Sequence, residues 1–279
     1  MDYDSAKLLV AGMYVGFALL ELAAGRFLFR DLSNRKDVIL DVVCVTVLPA
    51  VILPSILFGC VALAEWASPG SEDQWAHWPW WAMFLTLLVT DDLTQYWWHR
   101  LSHTSWLYPL HRAHHSAPYL SIRVVYRNNL VYYAFMPGLW LSGFLLHWGF
   151  IDVYVFYLPI KMLVIIGAHA SVPWDACLLR WRATQPLMWV LERVISTPAT
   201  HSAHHGLHEA DGVTHFKGNY GNLLFLWDMI FGSAKITRRR PQEFGVSGLV
   251  PIPWYRELVW PQKERRIETS PGSSGSLKG

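Results

Sequence analysis

The chain has 279 residues, of which 53% are hydrophobic and 16% charged, where soluble domains carry about 25% charged. That surplus of apolar surface excludes an ordinary water-soluble fold. The formal net charge of +2, with no arginine run interleaved with stacking aromatics, leaves no footprint for nucleic acid. Sixteen tryptophans and twelve tyrosines point to a bilayer as solvent, because amphipathic rings gather where hydrocarbon meets headgroups.

In chain order, residues 7–29 form an apolar run broken by Glu21 and followed by Arg30, Arg35 and Lys36. At about 20 residues such a run can cross a membrane, and it is too long for a cleaved signal peptide. A second run, 38–63, contains Pro49 and Pro54, which predict a kink or break near mid-membrane. A third, 78–98, opens on Trp-Pro-Trp-Trp and leads into His99, while Asp91 and Asp92 sit in its last turns. Carboxylates there are costly in lipid unless they face a polar site. Two more runs, 130–146 and 153–169, follow a polar stretch, and the first of them either spans or dips in and returns. Beyond residue 172, Trp174, Trp181 and Trp189 mark an amphipathic segment suited to the interface. The tail is of low complexity, and disorder is predicted over 264–279.

The expected organisation is therefore N-terminal transmembrane helices over 1–77, a catalytic membrane domain over 78–263 and a disordered tail. The predicted fold class is all-α: a multi-pass transmembrane bundle of four to five spans under a helical cap. Loops 26–36 and 100–127 and the C-terminal region are basic, whereas 65–77 and 147–152 hold no lysine or arginine. The positive-inside rule puts the basic loops, and the cap with them, in the cytoplasm. Cys44, Cys60 and Cys177 lie far apart and read as small hydrophobes rather than as a zinc pair or a disulfide framework.

Eight of the thirteen histidines fall in two stretches: HRLSH (99–103) with HRAHH (111–115), and HSAHH (201–205). His99 and His103 share a helical face. In HRAHH, His111 and His114 are three apart while His115 is turned by about 100 degrees, so the box reaches two neighbouring points, and His201, His204 and His205 repeat the pattern. Eight imidazoles exceed the four to six ligands of one ion and suit two. His169 closes an apolar run at the same membrane face, where an ionisable group needs a reason, and is a candidate ninth ligand. His208 and His215 follow the last box, whereas His77 and His147 fall on the opposite side. An imidazole set accepts zinc, copper, iron or nickel. A zinc hydrolase acting on lipid is the alternative reading, but it needs only three protein ligands and a water.

These boxes, preceded by DLTQYWWHR (92–100) and followed by GNYGNLLFLWDMIFGS (218–233), resemble the fatty acid hydroxylase and sterol desaturase superfamily over roughly 85–235. The resemblance implies an integral membrane non-haem enzyme with two iron ions, for which zinc can substitute. Such an enzyme uses dioxygen to hydroxylate or desaturate a lipid C–H bond. It implies His99, His103, His111, His114, His115, His201, His204 and His205 as catalytic metal ligands, with His169 as an additional one. Some members carry a further histidine where this chain has Ile165, so a tenth ligand stays unassigned. No haem-binding electron carrier is expected within the chain, so electrons come from a separate donor of ferredoxin, cytochrome b5 or reductase type. Asp92, two helical turns before His99, is a candidate to orient an imidazole or anchor the cap, and Asp228 and His208 are further candidates for supporting the ligands. Glu209 and Asp211 are either such supports or exposed loop. Arg100 and Arg112 are candidates for binding an anion or an acidic donor. Tyr132, Tyr133, Phe135 and Trp140 are candidates to line a cleft open to the membrane.

Overall fold

The computed structural model describes residues 1–259, so the predicted disordered tail lies outside the described residues. Among those residues the regular structure is helical, with only two isolated β-bridges, Ile195 to Leu224 and Gly206 to Phe244. Helix α1 (Tyr3–Ala23) is started by Asp2, whose side chain accepts from the Ser5 amide. Helix α2 (Arg35–Ala67) opens with a reciprocal capping box between Asn34 and Asp37, which satisfies two amides that would otherwise lack acceptors.

Pro49 and Pro54 do not break α2. A π-helical turn, Leu48–Ile52, absorbs the amides that proline lacks, and the helix continues. The third apolar run also becomes one helix, α3 (residues 80–102), with its own π-turn at Leu88–Leu93 carrying Asp91 and Asp92. The run 130–146 is divided into α5 (Leu130–Ala134) and α6 (Pro137–His147), after α4 (Tyr108–His115). Eleven residues rise about 16 Å, roughly half of a hydrocarbon core, so α6 is too short to cross.

Among the described residues, three helices are long and apolar enough to cross a membrane: α1, α2 and α7 (Ile151–His169). This is fewer than the four to five expected, because 130–147 is split and because the acids and tryptophans of α3 lower its hydropathy. Leu8, Val15 and Leu19 on α1 and Phe58 on α2 point outward. Apolar side chains exposed along long helices fit lipid contact and would be unstable in water. Short helices follow α7: α8 (Trp174–Leu179), α9 (Gln185–Val194), α10 (Pro198–His205), α11 (Leu226–Ile230) and α12 (Trp254–Leu258). Trp181 and Trp189 are exposed on the amphipathic stretch, as expected for an interfacial segment.

Packing between helices sets the site. Helix α1 lies along α7, the second half of α2 lies along α6, and α10 packs on α7. Lys161 of α7 pairs with Asp91 of α3 at 2.5 Å, and the Tyr157 hydroxyl donates to the same carboxylate at 2.9 Å. Gly138 of α6 admits this pair, since a β-carbon there would lie 2.6 Å from Asp91 Oδ1. Glu21, the acid that interrupts the first apolar run, accepts from Ser121 Oγ at 2.6 Å, from Ile122 N at 3.2 Å and from Ser171 N at 2.7 Å. The N-terminal helix is thereby tied to the two segments that flank the histidines.

Candidate metal centre

Each histidine box ends a helix. His99 lies in the last turn of α3 and His103 caps that helix, α4 carries His111, His114 and His115, and α10 carries His201, His204 and His205. Helix α10 begins where Thr197 and Thr200 form a capping box with Pro198 in the first turn, a start that suits proline because its missing N–H had no helical partner anyway. His169 is the last residue of α7.

Nine imidazoles converge in two groups: His99, His103, His111, His115 and His204 form one, and His114, His169, His201 and His205 form the other. Within each group the candidate ligand atoms all lie within 4.8 Å of one another. In both HxxHH boxes the first and last histidines, one helical turn apart, serve the same group while the middle one serves the other. His111 therefore goes with His115 rather than with His114, because a separation of four residues projects side chains more nearly in one direction than three does. The groups abut, with the His115 and His205 rings stacked at 4.4 Å.

Backbone acceptors orient the rings. Nδ1 of His99 donates to the Tyr220 carbonyl at 2.7 Å, His204 to Gly218 at 2.7 Å, His114 to Arg127 at 3.1 Å and His169 to Ile165 at 2.8 Å. His111 Nδ1 donates to Asn128 Oδ1 at 3.1 Å. A carbonyl can only accept, so these bonds place the proton on Nδ1 and leave the Nε2 lone pair facing the group. Nε2 of His99, His103 and His204 is buried without a protein partner. Elsewhere Nε2 atoms face one another: His111 and His115 at 3.2 Å, His169 and His201 at 3.0 Å, His201 and His205 at 3.1 Å. An ion about 2.1 Å from each nitrogen sets neighbouring ligands about 3.0 Å apart at right angles and about 3.4 Å apart at the tetrahedral angle. Burial, followed by the neighbouring imidazoles, holds His103, His111, His114, His115, His201 and His205 well below the ordinary imidazole pKa. Neutral, preoriented imidazoles with free lone pairs fit metal ions.

The supporting residues divide clearly. Asp92 touches no imidazole. It accepts from the Leu223 and Leu224 amides and from Trp227 Nε1 at 2.8 Å, anchoring the segment that follows the last box. Asp228 accepts from Tyr220 N at 2.9 Å, Gly221 N at 2.6 Å and Ser233 Oγ at 2.6 Å, and so fixes the peptide whose carbonyl holds His99. Sequence reasoning missed Asp37, Asp41 and Asn128. Fully buried Arg127 donates to Asp37 at 2.8 Å, to Asp41 at 3.2 Å and to the Ala113 carbonyl at 2.9 Å. Acids within the basic end of an apolar helix were the available signal.

The remaining candidates lie outside both groups. His208 is at the surface, 3.1 Å from Glu243. His215 donates to or faces the Ser233 carbonyl at 3.2 Å, His77 is exposed, and His147 is buried beside Ser71 and Glu65. Asp211 closes a local turn onto Val213 and Thr214, and Glu209 is exposed. Arg100 donates to Tyr96 Oη at 2.9 Å and lies over the Trp97 ring, while Arg112 pairs with Glu257 at 3.3 Å. Tyr132 stacks on His111 at 5.1 Å, Tyr133 is buried, Phe135 points outward, and Trp140 donates to the Ala134 carbonyl. The cavity that reaches the histidines, about 310 Å³, is lined instead by His103, His115 and His204, by Tyr108 and Tyr220, and by the 206–217 and 245–247 loops.

A fatty acid hydroxylase family model matches residues 84–233, more than half of the chain. Among curated proteins, the chain is similar to alkylglycerol monooxygenase of Homo sapiens, at 24% identity over 79% of this chain and 46% of that one. It is 26% identical to the Xenopus tropicalis protein of that name over 65% of this chain and 37% of that one. The Danio rerio protein is 25% identical over 56% of this chain and 30% of that one. The chain thus spans less than half the length of these relatives, and no solved structure matches it. The family match encloses the boxes at 99–115 and 201–205 together with Asp92 and Asp228, and on that ground the chain belongs to the fatty acid hydroxylase family.

Proposed function

We propose that the protein is a membrane-bound, dioxygen-dependent lipid hydroxylase with a non-haem di-iron centre. The observation that carries this reading is the pair of groups built from imidazole alone, five and four, with lone pairs turned inward. His99, His103, His111, His115 and His204 would hold one ion, and His114, His169, His201 and His205 the other. When bound, redox-active metal supplies the oxidation of a C–H bond by dioxygen. The carbonyls of Tyr220, Gly218, Arg127 and Ile165 keep the ligand rings in one tautomer and one orientation. Burial of the groups keeps bulk water from the reacting carbon.

The balance of the reaction sets the partners. One oxygen atom enters the C–H bond and the other leaves as water, which consumes two electrons and two protons. The electrons come from a separate donor of ferredoxin, cytochrome b5 or reductase type. Hydroxylation is favoured over desaturation by the monooxygenase relatives. The distribution of lysine and arginine supports a multi-pass protein with its helical cap and active site on the cytoplasmic face, 1–77 being the anchoring part and 78–263 the catalytic part.

The test is lipid analysis of cells expressing wild type or His114→Ala under labelled dioxygen. The expected result is a lipid that gains one labelled oxygen atom with the wild type alone. Turnover under anaerobic conditions, or label arriving from water, would identify a zinc hydrolase instead.

A further inference from the structure

We infer that the cavity beside the five-histidine group takes a lipid bearing a negatively charged oxygen, phosphate or carboxylate, which Lys217 and Tyr108 hold while the carbon to be oxidised lies against His103, His115 and His204. This deepens the hydroxylase reading and rests on it. The cavity is one-sided: it touches three histidines of the five-histidine group and none of His114, His169, His201 or His205. Leu207, Phe216 and Val246 supply apolar walls, as expected where a hydrocarbon segment lies.

Its polar groups are uneven. Lys217 is the one formally charged residue of the lining, and no acid pairs with it among the described residues. Its ammonium lies 5.6 Å from the centre of the Phe216 ring. The Tyr108 hydroxyl is buried without a hydrogen-bond partner, on a ring 6.2 Å from that of His103. A buried hydroxyl left unpaired is destabilising, a cost that a ligand oxygen would remove. An ammonium and an unpaired phenol are both donors, so the complementary ligand is an acceptor, and the ammonium favours one with negative charge. About 310 Å³ is at the small end of ligand cavities, so the site holds only a short stretch of the lipid. The oxidised carbon is therefore close to the charged head.

The test measures binding of oleate, 1-oleoyl-lysophosphatidate and neutral 1-oleoylglycerol to purified metal-loaded protein in neutral detergent, for wild type, Lys217→Gln, Lys217→Arg and Tyr108→Phe. The expected result is at least a tenfold preference of the wild type for one anionic lipid over the neutral one, and which one identifies carboxylate or phosphate. Lys217→Gln abolishes the preference, Lys217→Arg keeps it, and Tyr108→Phe weakens anionic binding about threefold, all with unchanged metal content. Equal binding of neutral and anionic lipids by the wild type, or a preference that survives Lys217→Gln, would overturn the assignment. If labelled dioxygen still enters a lipid in those cases, only the headgroup assignment fails. If no lipid takes up label although both metals are bound, the hydroxylase reading itself fails.

Discussion

The two histidine groups share ligand chemistry but differ in their surroundings. The five-histidine group opens on a cavity and is held from the 218–228 segment, through Tyr220, Gly218 and Asp228. The four-histidine group is closed, includes His169 at the end of α7, and is held through Arg127, whose guanidinium reaches back to Asp37 and Asp41 of α2. One group is built for access and the other for attachment. In such a pair, substrate contact and structural support can be lost separately.

The largest expected difference comes from removing one ligand on each side. His201→Ala leaves three imidazoles in its group and is expected to lose that ion and activity, by at least about a hundredfold. His103→Ala leaves four and is expected to retain both ions while activity falls, because His103 faces the cavity. Metal content of the two purified variants separates the outcomes, and identical metal loss would erase the distinction. Next in size, Arg127→Met strands Asp37 without its buried partner, while Asp41 keeps Arg123 at 2.8 Å. A broken buried ion pair costs about 3–5 kcal/mol, seen as a lower midpoint of thermal unfolding in detergent. Smaller again, Asp228→Asn weakens the support of the Tyr220 peptide and is expected to reduce activity or metal affinity about 10–100-fold. Metal titration should show the loss at one site of two, and a loss spread over both would contradict the separation.

Much of the site was legible in the sequence. Spacing, helix-end position and charge distribution single out nine histidines, and those nine converge in space. Asp92 and Asp228 stand out as acids among apolar residues, and both are buried anchors. The division of the boxes was not legible from spacing of three and four alone, since α4 has to be oriented by its neighbours before His111 and His115 take one side. Nor were the backbone acceptors, because every residue offers a carbonyl and only the fold selects those of Gly218 and Tyr220. The clamp on Arg127 joins acids to a base across separations of 86 and 90 residues, beyond the reach of any local pattern. The helix through Pro49 and Pro54 and the split at Phe135 show the same limit: proline marks where the ladder is interrupted, while packing decides whether a π-turn or a break follows.

The central claim is that two ions are held, five imidazoles to one and four to the other. The most direct measurement is metal stoichiometry of the purified protein by mass spectrometry, combined with X-ray absorption at the metal edge. The expected result is two metal ions per chain in a first shell dominated by imidazole nitrogen, with His201→Ala reduced to one. A wild-type value of one, or a shell without imidazole, would contradict it.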